Sequence, residues 1–252
     1  MATVGSAWSA PPAEGEFYEI VITHAAGPLE AADIDGAAWD ALDVLYPYTA
    51  GVTAGTGGDN LLDILESLIA GCAVWAAPAR TSGKITCGRT EPPAGTPDLK
   101  LSGRRTLGEL APEALPVYWQ VVVEYRRNGS VNTNPDSGVA EARRAFLQKE
   151  YRQLTIEDPQ ILRRHPTAET LRLVVPFDSS DGAVAAGEHA LALHGVPRRR
   201  IEVDAALHPF FVDIAGVVEI EDARHGLDAA PLMRVLGFAD RFLDTDQLVL
   251  WG

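Results

Sequence analysis

The chain has 252 residues, 46% of them hydrophobic and 22% charged, which is enough to build a packed core in one large domain or two small ones. A formal net charge of −14 and a pI near 4.8 argue against non-specific binding to nucleic acid or anionic membranes, since both depend on basic patches. No run of residues approaches the length of a membrane span, and the opening MATVGSAWSAPPAEGEF lacks the basic segment and apolar core of a secretory signal.

Residues 1–16, rich in Ala, Pro, Ser and Gly, read as a flexible arm. Phe17 to Ala26 is a strand candidate, and Glu30 to Pro47 reads as a helix or two short turns. Glycines 51–58 form a loop before a helix capped by Asp59, in which Leu61, Leu62, Leu65, Leu68 and Ile69 recur at helical spacing and which Gly71 stops. CAVWAAPA and KITCGRT then read as two short strands around a Thr-Ser-Gly turn. The Pro- and Gly-rich stretch 91–116 reads as loop with at most one helical turn, and as the boundary between two halves.

VYWQVVVEYRRN, Val117 to Asn128, is the strongest strand, β-branched and aromatic throughout. Its Tyr118 and Tyr125 suit a sheet face or an oligomer interface. A polar linker follows, then a helix-compatible stretch with Ala142, Phe146 and Leu147 on one side, whose end YRQLTI mixes helix and strand signals. Thr170 to Phe177 is a strand, and Ser179 to Gly195 a helix capped by Ser or Asp and ended by Gly195. RRRIEVDAA and FVDIAGVVEIED are further strands. The chain closes on a hairpin: at strand period, Leu232, Arg234 and Leu236 share one face, and Met233 and Val235 the other. Beyond the Asp244-Thr245-Asp246 turn, Leu248 and Leu250 oppose Val249 and Trp251. Apolar residues at a terminus stay mobile unless a sheet ties them down, so this strand should complete a sheet or barrel.

The chemistry-bearing residues form no recognisable motif. In GVTAGTGGDN, the last Gly is followed by Asp59 and Asn60 where a phosphate loop needs Lys and Ser/Thr, and a carboxylate there repels phosphate. The six histidines, His24, His165, His189, His194, His208 and His225, make no HExxH or HxH pair. Ser67 and Ser102 lie in no nucleophile elbow, and Cys72, at a helix C-terminal end, is badly placed for a thiolate. Cys72 and Cys87 read as small core residues, with a disulfide between them left open. The acidic turns lack calcium-loop spacing. Arg198 to Arg200 read as a salt-bridged strand entry in so acidic a chain. The expectation is therefore no catalytic residue, no cofactor and no metal.

Several stretches, taken in order, resemble one family: the baseplate hub proteins of tailed phages, including siphophage tail-tip and gene-transfer-agent versions. DIDGAAWDALDVLYPYTAGV resembles the opening of a hub domain, and LLDILESLIAGCAVWAAPARTSGKITCGRTEPPAG its following helix and hairpin. Val123 to Asn128 is similar to the family's V-x-Y-x-R-N strand. ARRAFLQKEYRQ and AAGEHALALHGVPRRRIEVDA resemble the next pair of elements. The match is strongest from Val212 to Gly252, with a Gly-x-Val-x-Ile strand, a His/Arg-x-Gly-Leu turn, an Arg-Val-x-Gly strand and an ending in Leu-Trp. The chain departs from the pattern at Ala215-Gly216, where the family has Gly-Asp, and larger hubs carry sequence before and after this region. The chain is thus expected to be a compact hub or one part of a split one.

The resemblance implies an α+β fold with β-barrel-like sheets and two or three packed helices. It divides into an arm at 1–16, a first hub domain at 17–116 and a second at 117–252 with a C-terminal barrel or hairpin. It implies a structural, non-enzymatic virion component, assembled in the host cytoplasm as a homotrimer. The trimer would form a ring between the distal tail protein and the central spike or fibre, lining a channel for tape-measure protein and DNA. DNA would pass without specific binding, no membrane would be involved, and Val117 to Asn128 would be an open strand available between subunits. The alternatives are a carboxylate-dependent cell-wall glycan hydrolase and a small soluble ligand-binding domain.

Overall fold

The structure, a computed structural model, describes residues 31–51, 61–102, 106–107, 110, 112–136, 138–205, 212–222, 226–241 and 245–252. The expected arm, the strand at Phe17 to Ala26, the Asp59 cap and His24, His208 and His225 lie outside them. The chain forms two hydrophobic cores, one built by helices on a small sheet and the other mainly by strands, with Leu110, Val212 and Leu227 added from the connections.

The first core begins with a 3-10 turn, Ala31–Asp33, and helix α1, Gly36–Leu45, which buries Trp39 and Leu42. Helix α2, Leu61–Ile69, buries Leu65 and Leu68 as its leucine spacing predicts. Gly71 ends it in the left-handed region, φ +69°, and a Cβ there would strike the carbonyl of Val174. Strands β1, Val74–Pro78, and β2, Ile85–Arg89, form the expected antiparallel hairpin. Cys72 and Cys87 are free thiols in this core. Burial pushes each up to about 12.

The stretch 91–116 is not simply loop. It supplies β3, Leu99–Ser102, β4, Thr106–Leu107, and β5, Glu113–Ala114. These are too short to carry a period of their own. Each forms because a longer strand offers a free edge: β3 pairs in parallel with residues 218–221, and β4 and β5 both pair with residues 199–205.

Strand β6, Tyr118–Tyr125, buries Val121 and Val123 completely. It was expected to be open, but it is the central strand of a three-stranded sheet. On one side lies antiparallel β7, Arg152–Glu157, and on the other parallel β8, Glu169–Val174. A strand so rich in β-branched residues is buried most effectively with a neighbour on each edge. Helix α3, Glu141–Leu147, precedes β7, and α4, Pro159–Arg164, follows it; sequence periodicity did not signal α4. Asp158 accepts from the Gln160 amide at 2.9 Å and Pro159 takes the first turn, a standard way to start so short a helix.

Helix α5, Ser180–His194, starts where Ser179 Oγ accepts from the Gly182 amide. Its buried stripe is Ala183, Ala186, Gly187 and Ala190, small residues at helical spacing. They let the helix lie directly on β6 and β7. A Cβ on Gly187 would come within 2.6 Å of Ile156 and 2.7 Å of Val123. The opposite face of this sheet is a polar ladder: Gln120 to Glu157, Thr170 to Gln120 and Gln153 to Glu124.

The second core is lined by a seven-stranded sheet in the order β3, β10, β11, β12, β9, β4, with β5 also on β9. Here β9 is Arg199–Ala205, β10 Val217–Glu221, β11 Leu232–Arg241 and β12 Thr245–Trp251. Leu101, Ile201, Val203, Val218, Ile220, Met233, Val235, Leu248 and Leu250 all point into it. The closing hairpin alternates as the sequence predicts, Met233, Val235, Leu248 and Leu250 being buried. Laid flat, the five strand intervals from β3 to β4 would separate the sheet's edges by about 24 Å. Yet Ser102 and Thr106 are four residues apart and span at most about 14 Å. The sheet must therefore roll up. No hydrogen-bonded register joins β3 to β4 among the described residues, so no closed barrel is found there. The fold is mixed α and β, and among the described residues three helices, α1, α2 and α5, contribute buried residues.

Candidate functional site

The sequence-selected residues are mostly structural. Cys72 and Cys87 are core; Tyr46, whose Oη donates to the Cys72 carbonyl at 2.8 Å, is pushed up to about 12, mainly by burial. Among the described residues no three His, Cys, Asp or Glu side chains gather as a metal site. Ser67 lies in α2 and Ser102 in β3.

His189 and His194 lie on α5, His194 at the joint between the two cores. His189 Nε2 bonds to the Thr90 carbonyl at 2.9 Å. His194 sits edge-on to Tyr118 and Trp251, with ring centroids at 6.1 and 6.4 Å. Arg198 stacks on the same indole, 4.7 Å from its centroid. Burial lowers the pKa of both histidines; a backbone bond opposes this for His189, and Arg198 adds to it for His194.

Polar contacts complete the joint. Asp213 accepts from the Arg80 amide at 2.6 Å and from Thr81 Oγ1 at 3.3 Å, while the Arg80 guanidinium covers Phe238. Arg234 donates to the carbonyls of Glu91, Pro92 and Ala215. The Ala215-Gly216 departure falls on this joint: Ala215 takes a left-handed φ of 66°, and Asp98 accepts from the Val217 amide. Arg200 is the salt-bridged strand entry expected, at 2.8 Å from Glu202.

One surface stands apart. Helix α3 buries no residue, so the face expected of Ala142, Phe146 and Leu147 is not core. Instead Arg126, Arg143 and Arg152 place their guanidiniums 5.4, 5.1 and 5.1 Å from the Phe146 ring centroid. Arg127 adds an ion pair to Glu150 and lies 5.9 Å from the ring centroid of Tyr151. The group is held in place. Asn128 Nδ2 reaches the last carbonyls of α3, those of Phe146 and Leu147. Arg126, with φ 51°, is fixed by its amide to the Phe177 carbonyl and by Asp178 at 3.2 Å. A non-glycine residue held at positive φ marks a conformation imposed by its surroundings. Beside the patch is an open polar cleft of about 640 Å³ lined by Asn134, Pro135, Asp136, Arg144 and Gln148.

Sequence reasoning missed this patch, although a signal was there. Residues 126–152 hold six of the chain's 21 Lys and Arg but only three of its 35 Asp and Glu. Net charge summed over the whole chain conceals such a local inversion.

No protein-family model and no curated protein matches this chain. Solved structures resemble it. A chain in the virion of a native gene transfer agent particle superposes with a TM-score of 0.53 at 13% identity, over 91% of this chain and 46% of that one. The tail protein from Neisseria meningitidis MC58 gives a TM-score of 0.43 at 17% identity, over 80% of this chain and 57% of that one. The 43 kDa tail protein of prophage MuSo2 from Shewanella oneidensis gives 0.43 at 14%, over 80% and 56%. The chain spans about half the length of the solved structures it resembles. The fold is thus one that also occurs in a gene transfer agent virion.

Proposed function

We propose that this protein is a structural component of a phage-like tail, and more finely a baseplate hub subunit that self-associates around a channel. The observation that carries this reading is architectural: helix-covered small sheet and rolled large sheet follow, over 91% of the chain, the course of a chain built into a virion. The order of hub-like stretches in the sequence supports it independently, above all the closing hairpin Leu232 to Trp251. Among the described residues the outer edges of β7 and β8 carry no further strand, which suits a subunit made for assembly, because unpaired strand edges invite pairing between chains. In the finer form the ring is a homotrimer between distal tail protein and central spike, and tape-measure protein and DNA pass through it.

The test is particle composition. Cells carrying the gene and inducible for particles should yield tailed particles that contain the protein in stoichiometric amount, with immunogold label confined to the tail's distal end. Label on the capsid, or protein found only in the unassembled fraction, rejects the reading.

A further inference from the structure

We infer that the arginine-clad α3 patch of one copy docks on the acidic outer face of α1 of a second copy. The inference deepens the assembly reading above and rests on it. Charge is divided along this chain with unusual sharpness. No Lys or Arg precedes Arg80, whereas eleven Asp and Glu do. Helix α1 belongs to that cation-free third. Its outward residues include Asp40 and Val44, one turn apart, with Leu45 beside them and exposed Asp33 just before the helix. Val44 is 79% exposed and Leu45 42%, unusual for aliphatic side chains on a helix whose other face buries Trp39 and Leu42.

The α3 patch is the chemical complement. It offers several cations around a phenyl ring that no core covers. Arginine held on an aromatic ring is partly desolvated and pre-oriented, which favours both carboxylate pairing and apolar contact. Outside residues 126–152 acidic residues outnumber Lys and Arg about two to one, so most other approaches to α1 are disfavoured by like charge. The two surfaces differ, so the contact is heterologous, and repetition closes a ring or continues as a filament. A basic patch on so acidic a chain could also meet DNA; the test separates the two.

Mass is measured in solution across protein concentration and at low and high salt, for the wild type, Arg143→Glu, Asp40→Arg and the double variant. Arg143 and Asp40 are exposed and touch no core, and a thermal melt confirms each fold. The wild type is expected to associate, more weakly at high salt because the screening length shortens as ionic strength rises. Each single reversal should weaken association about tenfold or more, and the double variant should recover most of that loss, since it restores the opposed charges. Val44→Lys should weaken it as well. Association that both single variants leave unchanged overturns this inference but not the tail reading. A wild type monomeric under every condition overturns the inference, while particle composition still decides the tail reading. Salt-sensitive binding of a fluorescent DNA duplex, lost in Arg143→Glu while mass stays the same, also overturns the inference in favour of nucleic acid.

Discussion

The two cores are built by opposite means. The first joins segments from residue 34 to residue 186 through helices that approach closely, with Gly71 and Gly187 occupying sites where a methyl group does not fit. The second is a shell of strands whose interior is filled mainly by their Leu, Ile, Val and Met, with Leu110, Val212 and Leu227 from the connections, and its stability lies in alternation and pairing. Between them are polar and aromatic contacts: Asp213, Arg234, and the His194–Trp251–Arg198 stack. A helix-packed core fails when atoms are added at its close approaches, and a strand shell fails when atoms are removed from its filling. A polar joint should matter most to the coupling of the two.

The largest expected effect is loss of filling. Leu250→Ala, at a fully buried position in the second core, should destabilise by about 2–5 kcal/mol in chemical denaturation. If it costs under 1 kcal/mol, the rolled sheet is not a packed core. Gly71→Ala is the matching addition to the first core. Its methyl would meet the Val174 carbonyl at a positive φ, for an expected loss of about 1–3 kcal/mol. An unchanged melting temperature would show that α2 does not lie against β8. Asp213→Ala removes two accepted hydrogen bonds from the joint and should cost about 1–3 kcal/mol. Calorimetry should then resolve two transitions in place of one, and a single sharp transition would mean that the cores are coupled by other contacts.

The pH dependence separates joint from core. His189 and His194 have folded pKa values below 6.5, so the unfolded chain binds their protons more readily. Stability from them is complete above pH 6.5 and declines as pH falls below it. Cys72, Cys87 and Tyr46 are raised to about 12 from 9.0, 9.0 and 10.0. The unfolded chain ionises first, so stability is full below pH 9 and falls as pH rises toward 12. Melting temperature against pH should show a plateau between these limits. Replacing His194 by Gln should flatten the acid side alone, and an unaltered acid limb would remove His194 from the joint. The smallest effect is expected from Arg143→Ala, within about 0.5 kcal/mol of wild type, because α3 buries nothing.

How far the sequence could be read depended on how local the decisive interaction was. The leucines of α2, the Ser179 cap, the β1–β2 hairpin and the closing hairpin were legible because each is set by neighbours a few residues away. The strands β3, β4 and β5 were not, since two to four residues carry no period and their partners lie about a hundred residues on. The basic patch was hidden because Arg126 and Arg152 meet over Phe146 only once β6, α3 and β7 are assembled.

Taken by itself, the sequence determined what each segment is: amphipathic helix, alternating strand, capped terminus, acidic first third. Those properties follow from residue spacing and side-chain chemistry along one stretch of chain. Only the tertiary structure decided that Val117 to Asn128 is central rather than open, that the large sheet rolls with no β3–β4 register among the described residues, and that scattered arginines converge. Edge occupancy, curvature and the nearness of distant charges depend on long-range pairing, and no local period encodes that.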